Sequence, residues 1–450
     1  MASRALPTFS PDSHPFGQRI LVFAFAALAS TILLKIGQVQ YLEVINLGLM
    51  LSMVVAFARR GYQATWFRPY LRIGALYALF VLAALALAVA SLRFDFYVGD
   101  DLTPLRRPVV VSLARAIELM GNVSMMLYLA NLFRQDAYWL RFAMRVYFWV
   151  GVASGLYSVL SYPLDVAGIV SLGVYSDSHR FRGFYNEGGP YGLYVVSLIL
   201  VGIALYRKHW ERGPKMIGAF GLLTISLVMS QSKAAYGAIL FFSVMGIFLM
   251  GSLSRKLAML LGAGVIAVII FQATGVARLI VLYRTQSAAY ERASRMRRTD
   301  ANFVYGRVAG GFIVPRMIAA HPLTGIGWGN YGILRNSPEY RGASQFVPLA
   351  DEPGLGLLGT AADLGLPLIA LLLICLFLPA GYLRRRRVPF YALSVALWQP
   401  IVHIFGGQLN LTYPWIATAL ALGLAYCPDQ PSLTSELPVV PLSRRIEATL

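Results

Sequence analysis

Long apolar runs constrain the fold of this chain more than any other feature. A helix needs about 20 mostly apolar residues to cross the hydrocarbon core of a bilayer. The chain has 450 residues, of which 58% are hydrophobic and only 13% charged, and it offers such a length twelve times. We therefore predict one all-α polytopic integral membrane domain over residues 1–450. The predicted spans are 18–36, 40–58, 70–90, 108–133, 138–161, 188–206, 214–230, 233–251, 256–274, 355–380, 388–405 and 409–427.

Charge in the short connections predicts the orientation. Lys and Arg cluster after every even-numbered span, and short loops rich in these residues stay in the cytoplasm. We expect both termini, including a tail at 428–450, to be cytoplasmic. The net charge of +19 then serves topology, and nucleic acid is not an expected partner. The clustered cations are Arg59, Arg60, Arg68, Arg72, Arg134, Arg141, Arg145, Arg207, Lys208, Arg212, Lys215, Arg255, Lys256 and Arg384 to Arg387.

A polar loop at 275–354 separates predicted spans nine and ten and lies on the opposite, outer face. The segment 279–299 alternates apolar and basic residues like an interfacial helix, and 305–320 has helical spacing. The segment 321–354 is rich in Gly and Pro and predicts an irregular cap over the bundle. The loop contains ten arginines and five acids. The arginines either solvate surface helices that lie on anionic lipid or bind a substrate. These arginines are Arg278, Arg284, Arg292, Arg295, Arg297, Arg298, Arg307, Arg316, Arg335 and Arg341.

A second polar cluster precedes predicted span six and reads His-Arg-Phe-Arg-Gly-Phe-Tyr-Asn-Glu-Gly-Gly-Pro-Tyr over residues 179–191. Arg180 and Arg182 alternate with aromatic residues and are followed by Asn186 and glycines. Guanidinium forks beside flexible backbone suit a phosphate ligand. Interfacial anchoring by Arg and Tyr is the alternative.

Two further motifs lie on the same predicted face. Ser230-Gln231-Ser232-Lys233 forms the whole turn between spans seven and eight, and Lys233 either meets an anionic partner or extends to the interface. In the large loop, Arg307 is followed by His321-Pro-Leu-Thr-Gly-Ile-Gly-Trp-Gly-Asn-Tyr. Histidine is well suited to accept a proton near neutral pH, although a lone His is more often a hydrogen-bonded structural group.

Ionisable residues inside predicted spans mark polar surroundings. Arg115 and Glu118 lie three residues apart on one face of span four. They either line an entrance for substrate or form an ion pair with each other. Asp363 in span ten has the same two interpretations.

The residues that usually hold metals are not arranged to do so in this sequence. There is no Asp-x-Asp, and the five histidines at 14, 179, 209, 321 and 403 lack metal-ligand spacing. Cys375 and Cys427 have no C-x-x-C spacing, which argues against a zinc site or disulfide framework. We expect metal-independent chemistry with no cofactor.

The order of these motifs resembles the O-antigen ligase family, which is related to O-antigen polymerases and bacterial O-oligosaccharyltransferases. Arg-x-x-Gly before a span, Ser-x-Ser-Lys in a tight turn, and Arg followed about fourteen residues later by His-Pro-Leu-x-Gly-x-Gly carry the resemblance over residues 180–370. The matched positions are Arg180, Lys233, Arg307 and His321, with Arg182 beside the first. Lys233 stands where arginine is common in the family.

The resemblance implies a transferase in the bacterial inner membrane that works on the periplasmic face. Its expected donor is a glycan on undecaprenyl diphosphate, and a ligase would transfer that glycan to the core oligosaccharide of lipid A. A polymerase would transfer it to another carrier-linked repeat unit, and an oligosaccharyltransferase to Ser or Thr of a protein. Arg180, Arg182, Lys233, Asn186 and Arg115 are then expected to bind substrate.

The base that activates the acceptor hydroxyl has several candidates. Many relatives have a His-Asn pair eleven residues before a Gly of the span after the loop, and counting back from Gly365 gives Gly354 and Leu355 instead. Either His321 serves as the base, or the acids Asp351 and Glu352 do, or the alignment is shifted by three residues. Arg307 would accompany the base at the reacting centre.

A transporter or flippase for the lipid-linked glycan is the rival from another class. Twelve spans also suit secondary transporters built from repeats. Against this interpretation, the halves of the sequence do not match, and the polar residues are concentrated in one loop.

Overall fold

A computed structural model describes residues 16–31, 35–36, 39–40, 44–51, 67–91, 107–169, 173–175, 179–248, 309–342, 355–405 and 409–427, together with residues 254, 257 and 264. Most of them are helical. The helices are α1 (Phe16–Leu28), α2 (44–51), α3 (Arg68–Ser91), α4 (Pro108–Gln135), α5 (Ala137–Val166), α6 (Gly188–Arg207), α7 (Pro214–Ser230), α8 (Lys233–Phe248), α9 (Ala309–Ala320), α10 (Tyr331–Leu334), α11 (Pro338–Arg341), α12 (Leu357–Arg385), α13 (Phe390–Ile404) and α14 (Tyr413–Leu424).

The helices have the character of an all-α membrane protein. Within the described ranges, five are long and apolar enough to cross a bilayer, namely Arg68–Ala90, Pro108–Gln135, Ala137–Val166, Gly188–Arg207 and Leu357–Arg385. Shorter apolar helices accompany them at Phe16–Leu28, Pro214–Met229, Lys233–Ile247, Ala309–Ala320, Phe390–Ile404 and Tyr413–Leu424.

Most helices begin and end within a few residues of the predicted spans, but the first does not. The predicted span ran over 18–36, whereas α1 ends at Leu28 and is followed by a two-stranded antiparallel sheet of β1 (Lys35–Ile36) and β2 (Val39–Gln40). The run Lys-Ile-Gly-Gln-Val-Gln contains three polar residues and a Gly, a composition that disfavours continuation of an apolar helix.

Several predicted features lie outside the described residues. They are span nine at 256–274 apart from residues 257 and 264, the interfacial helix at 279–299, Arg307 and the acids Asp351 and Glu352. The number of twelve spans therefore stays a prediction. In the described part of the loop, α9 covers 309–320 and an irregular segment with two four-residue helices follows at 321–342.

Local sequence explains where helices start. Asp136 is the only residue between α4 and α5, and its carboxylate accepts a hydrogen bond from the Tyr138 amide (2.8 Å), which caps α5. Pro108 and Pro214 occupy the first turns of α4 and α7, where a missing N–H costs nothing.

Helix α14 lies at the centre of the described bundle. All of its residues from Tyr413 to Leu424 are buried, as expected of a helix that is apolar all round. It packs chiefly against α4 and α13. Tyr413, near its start, contacts the rings of Tyr185 (6.2 Å between centroids) and Tyr194 (5.7 Å).

The two ends of the helix bundle differ in the polar residues that they carry. One end, which we call the basic end, contains the connections α4–α5, α6–α7 and α12–α13. There Glu211 forms ion pairs with Arg145 (2.8 Å) and Lys215 (2.6 Å). The opposite end, which we call the motif end, carries the starts of α4, α6, α8, α12 and α14, and with them every predicted motif that the structure describes. The connections at the basic end are short, so the helices that they join run back toward the motif end.

Candidate functional site

Arg180 lies against the turn between α7 and α8. It belongs to a short hairpin of β3 (Val174–Tyr175) and β4 (Arg180–Phe181). Its Nε donates to the carbonyl of Ser230 (3.0 Å), and an Nη to that of Gln231 (3.4 Å). A guanidinium at the last carbonyls of a helix is favoured by the helix dipole. The hairpin and the Ser-x-Ser-Lys turn, which are about fifty residues apart in sequence, thus form one structural group.

Serines shape the turn that Arg180 contacts. Gln231 has a left-handed backbone (φ 49°) that ends α7. Ser232 then caps α8, because its Oγ accepts from the Ala235 amide (3.3 Å), and the same hydroxyl donates to the carbonyl of Gly189 (3.0 Å). Lys233 follows as the first residue of α8 and is half-buried.

Two glycines let the start of α6 approach this turn closely. A Cβ on Gly188 would lie 2.6 Å from the carbonyl oxygen of Ser230, and one on Gly192 would lie 2.6 Å from Ser230 Oγ. Larger residues at either position would push the turn away. The starts of α6 and α8 therefore meet beside Arg180, and two helix N-termini add partial positive charge there.

The other members of the 179–191 cluster divide into buried and exposed residues. Tyr185 and Tyr191 are fully buried, and the Tyr185 hydroxyl donates to the Ala29 carbonyl (2.6 Å), so they are core residues rather than interfacial anchors. Arg182 is half-buried and Asn186 is exposed. Arg182 and Asn186 thus remain accessible beside Arg180.

The His-Pro-Leu-x-Gly-x-Gly segment forms backbone hydrogen bonds with α12 at a break in that helix. Pro367 has no N–H to bond the Asp363 carbonyl, and Gly365 has non-helical angles (φ 77°, ψ 167°). The cap segment supplies the partners: the Ile326 amide donates to Ala362 O (2.9 Å) and the Gly327 amide to Asp363 O (2.9 Å), and the Leu366 amide donates to Pro322 O (2.8 Å). We call these three bonds the splice. They satisfy backbone groups that a broken apolar helix would leave unbonded.

Arg115 joins α4 to the same break. Its Nη lies 3.3 Å from the carboxylate of Asp363, and the two side chains are 17% and 4% exposed. The structure thus gives Arg115 a partner on α12, and its pairing with Glu118 on α4 stays a prediction. Ser112, one turn earlier on α4, donates to the carbonyl of Trp328 in the cap. The start of α4 therefore holds both the broken helix and the cap.

His321 lies at the exposed edge of the cap, directly after α9. Its Nε2 shares a hydrogen bond with the Tyr340 hydroxyl (3.1 Å), and its carbonyl accepts from the Gly325 amide (3.0 Å). Burial raises the pKa of Tyr340, and the neighbouring Glu339 raises it further. The phenol is therefore neutral near pH 7 and holds the imidazole ring in place.

Sequence reasoning missed two features of the motif end. Arg335 was one of ten loop arginines, yet it is fully buried and its guanidinium lies 5.7 Å from the ring centre of Tyr331. Burial raises the pKa of Tyr331 to about 12, with Arg335 opposing the rise and Asp363 adding to it. The second feature is a hydrogen bond between His179 Nδ1 and the Asp165 carboxylate (2.6 Å) at the end of α5. Neither feature has a sequence signal, since the burial of Arg335 depends on how the cap packs and the His179–Asp165 contact joins residues 14 positions apart.

The predicted residues fall into two groups on the motif end. Arg180, Arg182, Asn186 and Lys233 belong to the group around the turn, whereas Arg115, Asp363 and His321 belong to the group around the splice. Buried aromatic rings lie between the two groups. Tyr185 contacts Tyr413 on α14. Trp415, two residues further along α14, contacts Tyr77, with 5.4 Å between the ring centroids. Phe80 on α3 then contacts Trp328 of the cap (6.3 Å).

Among the residues that the structure describes, no three His, Cys, Asp or Glu side chains are grouped so that they could hold a metal ion. The candidate ligands for an anion are instead arginines and a lysine. Comparison of the chain with protein-family models gives no match, and neither does comparison with curated proteins.

Proposed function

We propose that this protein transfers a glycan from undecaprenyl diphosphate to the core oligosaccharide of lipid A, as an O-antigen ligase of the bacterial inner membrane. The observation that carries the proposal is the contact of Arg180 with the Ser-x-Ser-Lys turn. Two motifs that the sequence matches to this family are in contact with each other, on the end of the bundle where the histidine motif also lies. Polymerase or protein O-oligosaccharyltransferase activity is the alternative within the same chemistry.

The proposed chemistry needs fixed cations and one base. A diphosphate is a good leaving group, so preorganised positive charge stabilises the transition state more than a strong acid would. Arg180 is already held by two carbonyls, and Lys233 begins the adjoining helix, so both can bind the diphosphate with little reorganisation. Arg182, Asn186 and Arg115 are the further proposed substrate ligands. His321, with Arg307, or the acids Asp351 and Glu352, would act at the acceptor hydroxyl.

Charge supports a periplasmic orientation of the motif end. In the described residues, the basic end contains only the acids Asp136 and Glu211, against a large set of cations that the positive-inside tendency would retain in the cytoplasm. Both termini would then be cytoplasmic. The cations are Arg68, Arg72, Arg134, Arg141, Arg145, Arg207, Lys208, Arg212, Lys215 and Arg384 to Arg387.

A deletion strain tests the reaction. We expect lipopolysaccharide without O-antigen on its core, together with polymer retained on the lipid carrier. A core capped with a single repeat unit would refute the ligase in favour of a polymerase. Unchanged lipopolysaccharide with a lost glycoprotein would refute it in favour of protein glycosylation.

Purified protein tests the residue roles. With lipid-linked donor and core acceptor, Lys233→Gln should lower the transfer rate about 100-fold, as loss of a fixed charge at a transition state commonly does. Arg385→Gln is the matched control, because that side chain is exposed at the basic end, and it should transfer normally. Near-normal transfer by His321→Ala would exclude His321 as the essential base. Activity abolished by a chelator would refute metal-independent chemistry.

A flippase makes the opposite prediction for donor location. If Lys233→Gln stalled carrier-linked glycan on the cytoplasmic leaflet, the transport interpretation would replace the transferase. A transferase defect should instead accumulate donor that is accessible from the periplasm, because delivery across the membrane would be intact.

A further inference from the structure

The basic end contains a cluster of rings and guanidinium groups that the transfer chemistry does not use. Four helix ends contribute to it: the start of α3, the end of α4, the end of α12 and the residues after α14. We call it the arginine–aromatic box. Its members are Phe67, Tyr70, Tyr382, Tyr426, Arg134 and Arg386.

The rings of the box pack edge to face around Phe67. The centroid of Phe67 lies 5.0 Å from that of Tyr70, 6.4 Å from that of Tyr382 and 5.8 Å from that of Tyr426. The Tyr382 and Tyr426 hydroxyls are hydrogen-bonded to each other. One of the two phenols therefore keeps a donor hydrogen that the pair itself does not use.

The two guanidinium groups lie against this aromatic wall. Arg134 lies 4.9 Å from the Phe67 ring centre, and Arg386 lies 5.5 Å from that of Tyr382 and 5.3 Å from that of Tyr426. Such stacking holds an arginine in place and leaves its N–H donors at the ring edges. The box thus has two positive charges and no carboxylate among its members.

Arg134 carries the inference because part of it is buried without an acceptor. Its Nε is inaccessible to solvent and forms no hydrogen bond. Within the described part of the chain, neither Arg134 nor Arg386 forms a salt bridge. Burying a charged donor without an acceptor costs a large part of the desolvation free energy of that donor. An anion bound in the box would remove that cost.

The surroundings of the box fit a lipid. The neighbouring connections are rich in exposed Arg and Lys, and such a surface attracts anionic headgroups. Further into the membrane, α3 exposes Leu79 and Leu82, and α12 exposes Ile374 and Phe377. These two helices pack against each other, so their apolar outer surfaces can receive acyl chains while the headgroup lies in the box.

We infer that the arginine–aromatic box binds the phosphate of an anionic phospholipid, with Arg134 and Arg386 as its ligands. The same phosphate chemistry is found in free inorganic phosphate, which lacks the acyl chains. Binding at this end would stabilise four helix ends at once and is independent of glycan transfer at the motif end.

Native mass spectrometry of the full-length protein, released from nanodiscs, tests the site. In nanodiscs of phosphatidylcholine and phosphatidylglycerol, wild-type protein should retain phosphatidylglycerol selectively. Arg134→Gln/Arg386→Gln should retain about tenfold less, the usual scale for losing charge-assisted hydrogen bonds. Arg141→Gln/Arg385→Gln is the matched control: it removes the same charge from exposed positions outside the box and should retain phosphatidylglycerol like the wild type.

Three results would overturn the inference. Equal losses in both double variants would mean that only diffuse surface charge attracts the lipid. Equal retention of phosphatidylcholine by the wild type would remove the need for an anion. If inorganic phosphate stabilised the protein in phosphatidylcholine nanodiscs as much as phosphatidylglycerol does, the site would be assigned to free phosphate instead of lipid. If the double variant fails to fold, the exposed Arg386→Gln decides alone, and unchanged retention there would refute the site.

Discussion

Gly325→Ala should detach the cap from the broken helix α12. Gly325 has a left-handed backbone (φ +66°), and a Cβ there would lie 2.5 Å from the carbonyl carbon of Asp363 and 2.6 Å from the Gly365 nitrogen. Both obstructing atoms belong to the backbone and cannot rotate away like the end of a side chain. The methyl group can be accommodated only if the cap segment and α12 separate.

The cost follows from the bonds that this separation breaks. Each of the three hydrogen bonds of the splice contributes about 0.5–1.5 kcal/mol, and a left-handed alanine adds about 1 kcal/mol of strain. The splice should therefore open more easily by about 3–5 kcal/mol. At 1.4 kcal/mol for each factor of ten, this corresponds to about 100-fold to 4000-fold faster amide exchange where exchange follows local opening.

Hydrogen–deuterium exchange in nanodiscs measures this directly. Peptides that contain Ile326, Gly327 and Leu366 should lose protection in Gly325→Ala. Gly311→Ala is the control, because Gly311 lies in the neighbouring α9 and its Cβ would meet nothing within 4 Å. Unchanged exchange in Gly325→Ala, or equal changes in both variants, would refute the role assigned to the splice.

Three further perturbations test other contacts. Arg115→Gln should destabilise the protein by about 3 kcal/mol, because it removes a cation that lies beside a buried carboxylate; thermal unfolding of the single and double variants with Asp363→Asn should show coupling, and additive losses would contradict the pair. Gly192→Ala should lower the melting temperature by pushing the Ser230–Lys233 turn away, whereas Gly189→Ala, with nothing within 4 Å of its Cβ, should not; equal melting temperatures would show that the close approach is unimportant. His179→Ala should speed amide exchange in the hairpin that carries Arg180, and unchanged exchange there would mean that the hydrogen bond to Asp165 at the end of α5 does not hold the hairpin.

Helix positions could be predicted because they depend on local information. Apolar length, a capping residue such as Asp136 and a proline such as Pro214 act within a few residues of a helix end. The turn at Ser230–Lys233 was also predictable, since four polar residues between two apolar runs leave little choice. The early end of α1 at Leu28 was missed because the apolar character of the sequence continues beyond it, while the polar run from Lys35 to Gln40 is short.

The contacts that define the site could not be predicted, because they join residues far apart in sequence. Arg115 and Asp363 are 248 positions apart, whereas sequence spacing can indicate only a neighbour on the same helix, such as Glu118. Gly365 and Pro367 do indicate a break in α12, but they do not show which segment satisfies the freed backbone. The burial of Arg335 beside Tyr331 likewise depends on how the cap folds over α12.

The histidine motif has a structural part, residues 325–331, which includes donors of the splice, and an exposed part, residues 321–324, which is available for chemistry. Residues 325–331 are buried, and their glycines and amides serve the docking of the cap, so their presence is explained without any substrate. Residues 321–324 are exposed, and only His321 among them has a side chain that can accept a proton near neutral pH. Tyr340 orients that imidazole ring. If this part of the described cap takes part in proton transfer at all, the transfer must therefore pass through His321.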